Sequence, residues 1–176
     1  MNKSKFLSTR EMIQVGMFTA IIAVLAQFSI PMPSGVPASL QTLAVGLIGT
    51  ILGSRLGGIT VIVYIILGGI GVPVFSNFNG GFGALVGPTS GFLFGFIIYA
   101  YFAGLGINSS KYGQILSGLI GLFLCHLLGV IVFSFVTDMG FVKALLLVSA
   151  PYIIKDMVFY LIAMFLGNKI RDRVGL

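Results

Sequence analysis

Long apolar runs, each closed by a short cluster of glycine, proline or polar residues, recur along the whole chain. The first covers residues 12–30 and stops at Pro31-Met32-Pro33-Ser34-Gly35-Val36-Pro37, whose prolines remove backbone donors and bias the chain to extended forms. The second, 39–53, is halted by Gly53-Ser54-Arg55, and the third covers 57–70. Pro88, of a type favoured at a first helical position, opens the fourth run, 88–105, and Gly106 to Lys111 then forms a turn. The fifth run, 114–136, ends at Thr137-Asp138-Met139-Gly140. Phe141 to Ala150 reads as a short helical piece ahead of Pro151, and the sixth run is 152–168. A bilayer core of roughly 30 Å takes about 20 mainly apolar residues, fewer where neighbours shield the helix. The pattern therefore predicts an all-α membrane protein, a single domain over residues 1–176 built as a bundle of six transmembrane helices. No repeat, direct or inverted, is visible.

Composition agrees. Of the 176 residues, 57% are hydrophobic and 8% charged, against about a quarter charged in soluble domains. Such a chain cannot cover a water-facing globule. The single cysteine, Cys125, excludes an internal disulfide, and its place in GLFLCHLLGV reads as that of a small buried hydrophobe. The start, MNKSKFLSTREMIQ, is basic, but the apolar run after it is too long for a signal-peptide core and lacks an A-x-A pattern; a retained first helix is expected.

The net charge of +6 is distributed as topology rather than as a nucleic-acid groove. Lys3, Lys5 and Arg10 stand at one end, Lys169, Arg171 and Arg173 at the other, with Arg55 and Lys111 in short breaks. With six spans and a cytoplasmic N-terminus, all of these fall inside, leaving Lys143 and Lys155 on the outer half. Both termini are thus expected in the cytoplasm. The uncharged stretch Gly69-Ile70-Gly71-Val72-Pro73-Val74-Phe75-Ser76-Asn77-Phe78-Asn79-Gly80-Gly81 then lies outside, where it suits a lid and floor for a small, largely neutral ligand.

Residues for catalysis are few. His126 has no second metal ligand at helical spacing, and in an apolar helix it reads as a satisfied core residue. No phosphate loop of the G-x-x-x-x-G-K-[ST] type occurs, and the hint of a dinucleotide fingerprint at Gly104 to Asn108 fails because Ser109 stands where the third glycine belongs. No catalytic residue, metal or cofactor is expected.

Asp156, in APYIIKDMVFYLIAMFLG, is different. A carboxylate within a lipid-spanning run costs at least about 2.5–3.5 kcal/mol unless it faces protein or water. Asp156 and Lys155 either snorkel to the outer interface or reach a ligand; the short aspartate stem snorkels poorly, the lysine well. As neighbours at i and i+1 they diverge by about 100° and are not expected to pair. Asn79 offers an acceptor and two donors, or stabilises its own turn. Gly80 and Gly81 permit close backbone approach to a ligand, or a tight turn. Gln41 is a buried-amide candidate whose alternative is helix capping or an interhelical hydrogen bond, and Tyr64 either lines a cavity or packs.

From about Val15 to Leu166 the chain resembles the biotin-specific substrate-capture subunit, or S component, of energy-coupling factor transporters (the BioY family). The resemblance rests on Leu40-Gln41-Thr42-Leu43-Ala44-Val45, on Tyr64 through Phe75 with its G-x-P-V-F element, on Asn79-Gly80-Gly81, on Gly87-Pro88-Thr89-Ser90-Gly91, and on Pro151 through Asp156. It implies high-affinity capture of extracellular biotin, with Asn79 and Asp156 on the ureido ring and Gln41 and Tyr64 as further candidates. A ureido group carries two N–H donors and one carbonyl, which a carboxylate plus an amide complement. Val74, Phe75 and Phe92 suit the thiolane ring and the aliphatic tail. Many members carry lysine three residues after the aspartate, where this chain has Phe159. Lys155, or the positive N-terminal end of the fourth helix at Gly87 to Gly91, is then the candidate for the ligand carboxylate. The resemblance further implies a transmembrane coupling protein and two ATPases as partners, approached through Gly16, Ala20 and Ala23 of the first helix, in a bacterial plasma membrane. Those small residues equally suit a contact within the bundle.

Three alternatives stand beside this reading. An S component for another vitamin, such as a flavin or thiamine, would want more stacking surface than a chain without tryptophan offers. An intramembrane enzyme would use His126 and Asp156, and the expectation against it is that His126→Ala leaves uptake unchanged. A structural subunit would bind no ligand.

Overall fold

The computed structural model describes residues 7–174; Lys3 and Lys5 of the basic start lie outside that range. Helix α1, Thr9–Gln27, begins earlier than its apolar run because Ser8 and Glu11 form a capping box: Ser8 Oγ accepts from the Glu11 amide at 3.2 Å and Glu11 Oε2 from the Ser8 amide at 2.6 Å. It also ends sooner. Ser29–Ile30 (β1) leaves the helix to pair antiparallel with Ala38–Ser39 (β2), so the proline loop is tied back on itself as a small ribbon.

The second and third runs form α2, Gln41–Gly69, which is broken at Gly53, where φ 82° and ψ 173° are not helical. The two halves fold back on each other. Gln41 Nε2 lies 2.7 Å from Tyr64 Oη, and a Cβ built on Gly57 would come within 3.0 Å of Gly49 Cα. A straight helix at 1.5 Å per residue would hold positions 41 and 64 about 35 Å apart. Gly53 makes the reversal because its positive φ is open chiefly to glycine.

A 3-10 turn at Ser76–Phe78 and the short α3, Phe82–Val86, lead to α4, Ser90–Leu105. Pro88 precedes this helix by two residues instead of opening it. Another 3-10 turn, Gly106–Asn108, leads to α5, Lys111–Val136, which starts ahead of its apolar run because Ser110 Oγ caps the Gly113 amide at 3.2 Å. The short α6, Phe141–Val148, precedes α7, Ala150–Val174. Pro151 sits in the first turn of α7, where its missing N–H has no intrahelical partner to lose, and the helix outruns its apolar stretch through Lys169, Arg171 and Arg173.

Among the described residues five helices are long and apolar enough to cross a membrane, α2 being counted as one although it reverses at Gly53. The folded protein is a helical membrane-type bundle with α4 packed between α2 and α5, and with α1 and α7 on α2. The fully buried rings of Tyr64, Tyr99 and Tyr160 anchor the core. Tyr160 donates to the Gln114 carbonyl at 2.6 Å, whereas the buried Tyr99 hydroxyl has no partner among the described residues. One end of the bundle gathers basic side chains: Arg55 pairs with Glu11 at 3.5 Å, Arg171 reaches the Ile51 carbonyl at 3.4 Å, and Gln114 and Asn168 exchange amide hydrogen bonds nearby. The cavity lies at the other end.

Candidate functional site

A cavity of about 390 Å³ opens where the start of α2, the segment 75–79, α4, α5 and the start of α7 converge. This is within the range of small-molecule sites, roughly 300–1,000 Å³. Its apolar walls come from Phe75, Phe92, Leu93, Phe96 and Leu122; His126 of α5 with Lys155 and Asp156 of α7 supply its ionisable groups, and the start of α2 and the segment 75–79 supply neutral polar ones.

Asp156 lies six residues into α7, about 9 Å along the axis from Ala150. It is 4% exposed and faces the cavity. It does not snorkel. Lys155 also lines the cavity, and contrary to the helical-wheel argument its Nζ pairs with Asp156 Oδ1 at 2.5 Å. Its Nζ lies over the Phe159 ring, 4.6 Å from its centre, and the long lysine stem bridges the 100° that separates the two Cβ directions. The Ser39 carbonyl accepts from the same Nζ at 3.4 Å. His126 Nε2 stands 3.3 Å from Asp156 Oδ2, and its Nδ1 is 2.9 Å from Ser149 Oγ. The histidine is buried as expected of a core residue, yet it also forms part of the cavity wall.

The lid is held from beneath by amides. Gln41 Oε1 accepts from Ser39 Oγ at 2.9 Å and Ser76 Oγ at 2.6 Å, while its Nε2 donates to Tyr64 Oη. Tyr64 in turn donates to the Val74 carbonyl at 3.0 Å and meets the Phe75 ring edge-on at 5.4 Å. Gln41 thus lines the cavity but is engaged between helices, and Tyr64 stands behind the wall. Gln27, unremarked in the sequence, clamps the same segment by donating to the Val74 carbonyl at 3.2 Å and accepting from the Phe78 amide at 2.8 Å. These bonds hold Asn77 and Phe78 at φ 59° and 55°, left-handed values for side-chain-bearing residues.

Asn79 lines the cavity with its side-chain oxygen turned to the Gly80 amide at 2.8 Å; its Nδ2 has no protein partner among the described residues. Gly80 and Gly81 do not line this cavity. A side chain on Gly80 would meet the Val72 carbonyl at 2.5 Å, and Gly81, at φ 95°, donates to the Gly68 carbonyl at 2.7 Å, so both serve the turn. Gly80 does border a second cavity of about 460 Å³, which shares Gly35, Asn79, Ala84 and Thr89 with the first. Across the mouth runs the proline loop: Tyr152 Oη donates to the Val36 carbonyl at 2.7 Å and lies 2.8 Å from Ser34 Oγ. Tyr152, like Ser149, carried no sequence signal beyond its place beside Pro151. On α1, Gly16 and Ala20 are exposed and a Cβ at Gly16 would meet nothing within 4 Å, while Ala23 is half-buried against the core.

This arrangement presents a carboxylate, an amide N–H donor and an aromatic-aliphatic shell to one cavity. It suits a compact, mostly apolar ligand with a hydrogen-bonding head. Residues 1–175 match the model of the BioY family. The biotin transporter BioY of Thermotoga maritima is 38% identical over 92% of this chain and 96% of its own length. A probable biotin transporter BioY of Pyrococcus horikoshii is 36% identical over 94% and 98%. The crystal structure of an S-component for biotin from an ECF-type ABC transporter superposes with a TM-score of 0.84 at 22% identity, covering 94% of this chain and 95% of that one, and so shares the fold. With the family model spanning nearly every residue and relatives matched almost end to end, the chain belongs to the BioY family.

Proposed function

We propose that this protein captures extracellular biotin as the substrate-binding subunit of an energy-coupling factor transporter. One observation carries the reading at the level of chemistry: a buried carboxylate, Asp156, aimed into a cavity of about 390 Å³ with mainly apolar walls. In this reading Asp156 accepts a ureido N–H, Asn79 Nδ2 donates to the ureido carbonyl, and Phe75 and Phe92 flank the fused rings. Lys155, already on Asp156 and the Ser39 carbonyl, belongs to the ureido end instead of the ligand carboxylate. The ligand passes in beneath the proline loop, through the second cavity.

The chain reversal at Gly53 supports six spans, and six spans bring both termini to one side. That side is the cytoplasm, because Arg10, Arg55, Lys111, Lys169, Arg171 and Arg173 all belong to it. The cavity then opens outward from a bacterial plasma membrane. The open faces of Gly16 and Ala20 favour docking of a transmembrane coupling protein, driven by two ATPases, over a contact within the bundle. For an enzyme built on His126 and Asp156, the hydroxyl that meets the histidine is a poor nucleophile, since Ser149 is 2% exposed and outside the cavity wall.

The test is equilibrium binding of radiolabelled biotin to the purified chain, with competition by a vitamin panel. Saturable binding displaced by biotin alone supports the proposal. Displacement by a flavin or thiamine, or no binding, refutes it.

A further inference from the structure

Ser149, His126 and Asp156 form a line of contacts running from the junction of α6 and α7 through α5 to α7. Ser149 is 2% exposed, His126 5% and Asp156 4%, so little of their surface meets solvent. The Ser149 hydroxyl has the imidazole as its sole side-chain partner among the described residues. An ionised carboxylate only accepts, so the neutral tautomer that serves Asp156 carries its ring proton on Nε2, 3.3 Å from Oδ2, and accepts the Ser149 hydroxyl on Nδ1. Phe92 holds the ring from another side, edge-on with centres 5.9 Å apart. The carboxylate is thereby bracketed, Lys155 on Oδ1 and His126 at Oδ2. Two carboxylate oxygens offer about four acceptor positions, so bracketing leaves room for a ligand N–H while removing rotation about the last side-chain bond.

We infer that His126 is a positioning residue for ligand capture: with Ser149 on its Nδ1, it holds Asp156 in the orientation that receives the ligand's N–H. This rests on the reading of Asp156 as a biotin contact. It also reverses the expectation that replacing His126 leaves uptake unchanged. A rotationally free carboxylate would have to be ordered at the moment of binding, and a buried one without its bracket would turn wholly to Lys155.

A double-mutant cycle on the full chain tests this, using labelled biotin as probe, with monodispersity and thermal midpoint recorded for each variant. His126→Phe keeps the ring that packs on Phe92 but removes the N–H, and about a tenfold or greater loss of affinity is expected. His126→Gln, whose amide nitrogen reaches the place of Nε2, should recover most of it. In an Asp156→Asn background, His126→Phe should add less than about threefold. If His126→Phe folds poorly, Ser149→Ala takes its place, with a smaller loss that likewise vanishes beside Asp156→Asn. Equal losses in both backgrounds, or no rescue by glutamine, overturn the inference and leave the histidine a packing residue. No effect of Asp156→Asn alone overturns both the inference and the assignment of Asp156, and absence of biotin binding by the unaltered chain overturns the function itself.

Discussion

The wall of the cavity nearest the lid depends on a missing side chain. The Phe75 ring is 3% exposed and lies flat on Gly68, where an added Cβ would overlap ring atoms Cζ, Cε1 and Cε2. Gly68→Ala therefore forces the ring outward by roughly 1.5 Å to restore ordinary carbon contact. Overpacking of this kind costs about 1–3 kcal/mol, and the edge contact of Phe75 with Tyr64 is worth a further 0.5–1.5 kcal/mol or so. Alanine returns up to about 1 kcal/mol of helix propensity, leaving a net destabilisation of about 0.5–3.5 kcal/mol. Gly58→Ala is the control, because it gains the same propensity on the same half of α2 and its Cβ meets nothing within 4 Å. The displaced ring narrows the cavity, so biotin affinity should fall by about tenfold in Gly68→Ala and remain unchanged in Gly58→Ala. Thermal midpoints in detergent, paired with labelled-biotin binding, read both effects. Adding Phe75→Leu to Gly68→Ala should recover part of the stability. Indistinguishable behaviour of the two alanine variants would refute the packing argument.

Lys155→Ala should weaken biotin and an analogue lacking the carboxylate by similar factors, about 10–100-fold, because the ammonium serves Asp156; competition binding that shows a selective loss for biotin would return Lys155 to the ligand carboxylate. Gly16→Leu should leave biotin binding by the isolated chain intact and lower transport in the assembled complex; unchanged transport in vesicles would remove this face from partner docking. Tyr99→Phe deletes a buried hydroxyl without a partner among the described residues and should raise the thermal midpoint, by the equivalent of about 1 kcal/mol, whereas a fall would reveal an unseen partner.

The sequence made the helices legible because their signal is local: apolar length and the residues that interrupt it. The stops at Gly53, at the proline loop and at Gly106 to Lys111 lie where the chain turns, and errors of a few residues trace to caps such as Ser8 with Glu11 and Ser110, which polar side chains supply outside the apolar runs. Asp156 was visible because a carboxylate amid hydrocarbon demands a reason. Its neighbours were not. His126 lies 30 positions from Asp156 in the chain and Ser149 seven, and nothing in either local pattern states that α5 and α7 bring them together. The Lys155–Asp156 pair failed for another reason: Cβ directions describe the start of a side chain, and lysine is long enough to double back. Gln41 and Gln27 illustrate a third gap, since a buried amide reads the same whether it meets a ligand or, as here, clamps a loop.

The most direct measurement is a structure of the protein with biotin bound. A carboxylate oxygen of Asp156 should lie within about 3.2 Å of a ureido nitrogen, with Asn79 Nδ2 on the ureido carbonyl and the rings between Phe75 and Phe92. Biotin seated elsewhere, or seated in this cavity with Asp156 out of hydrogen-bonding reach of its ureido group, would contradict the account.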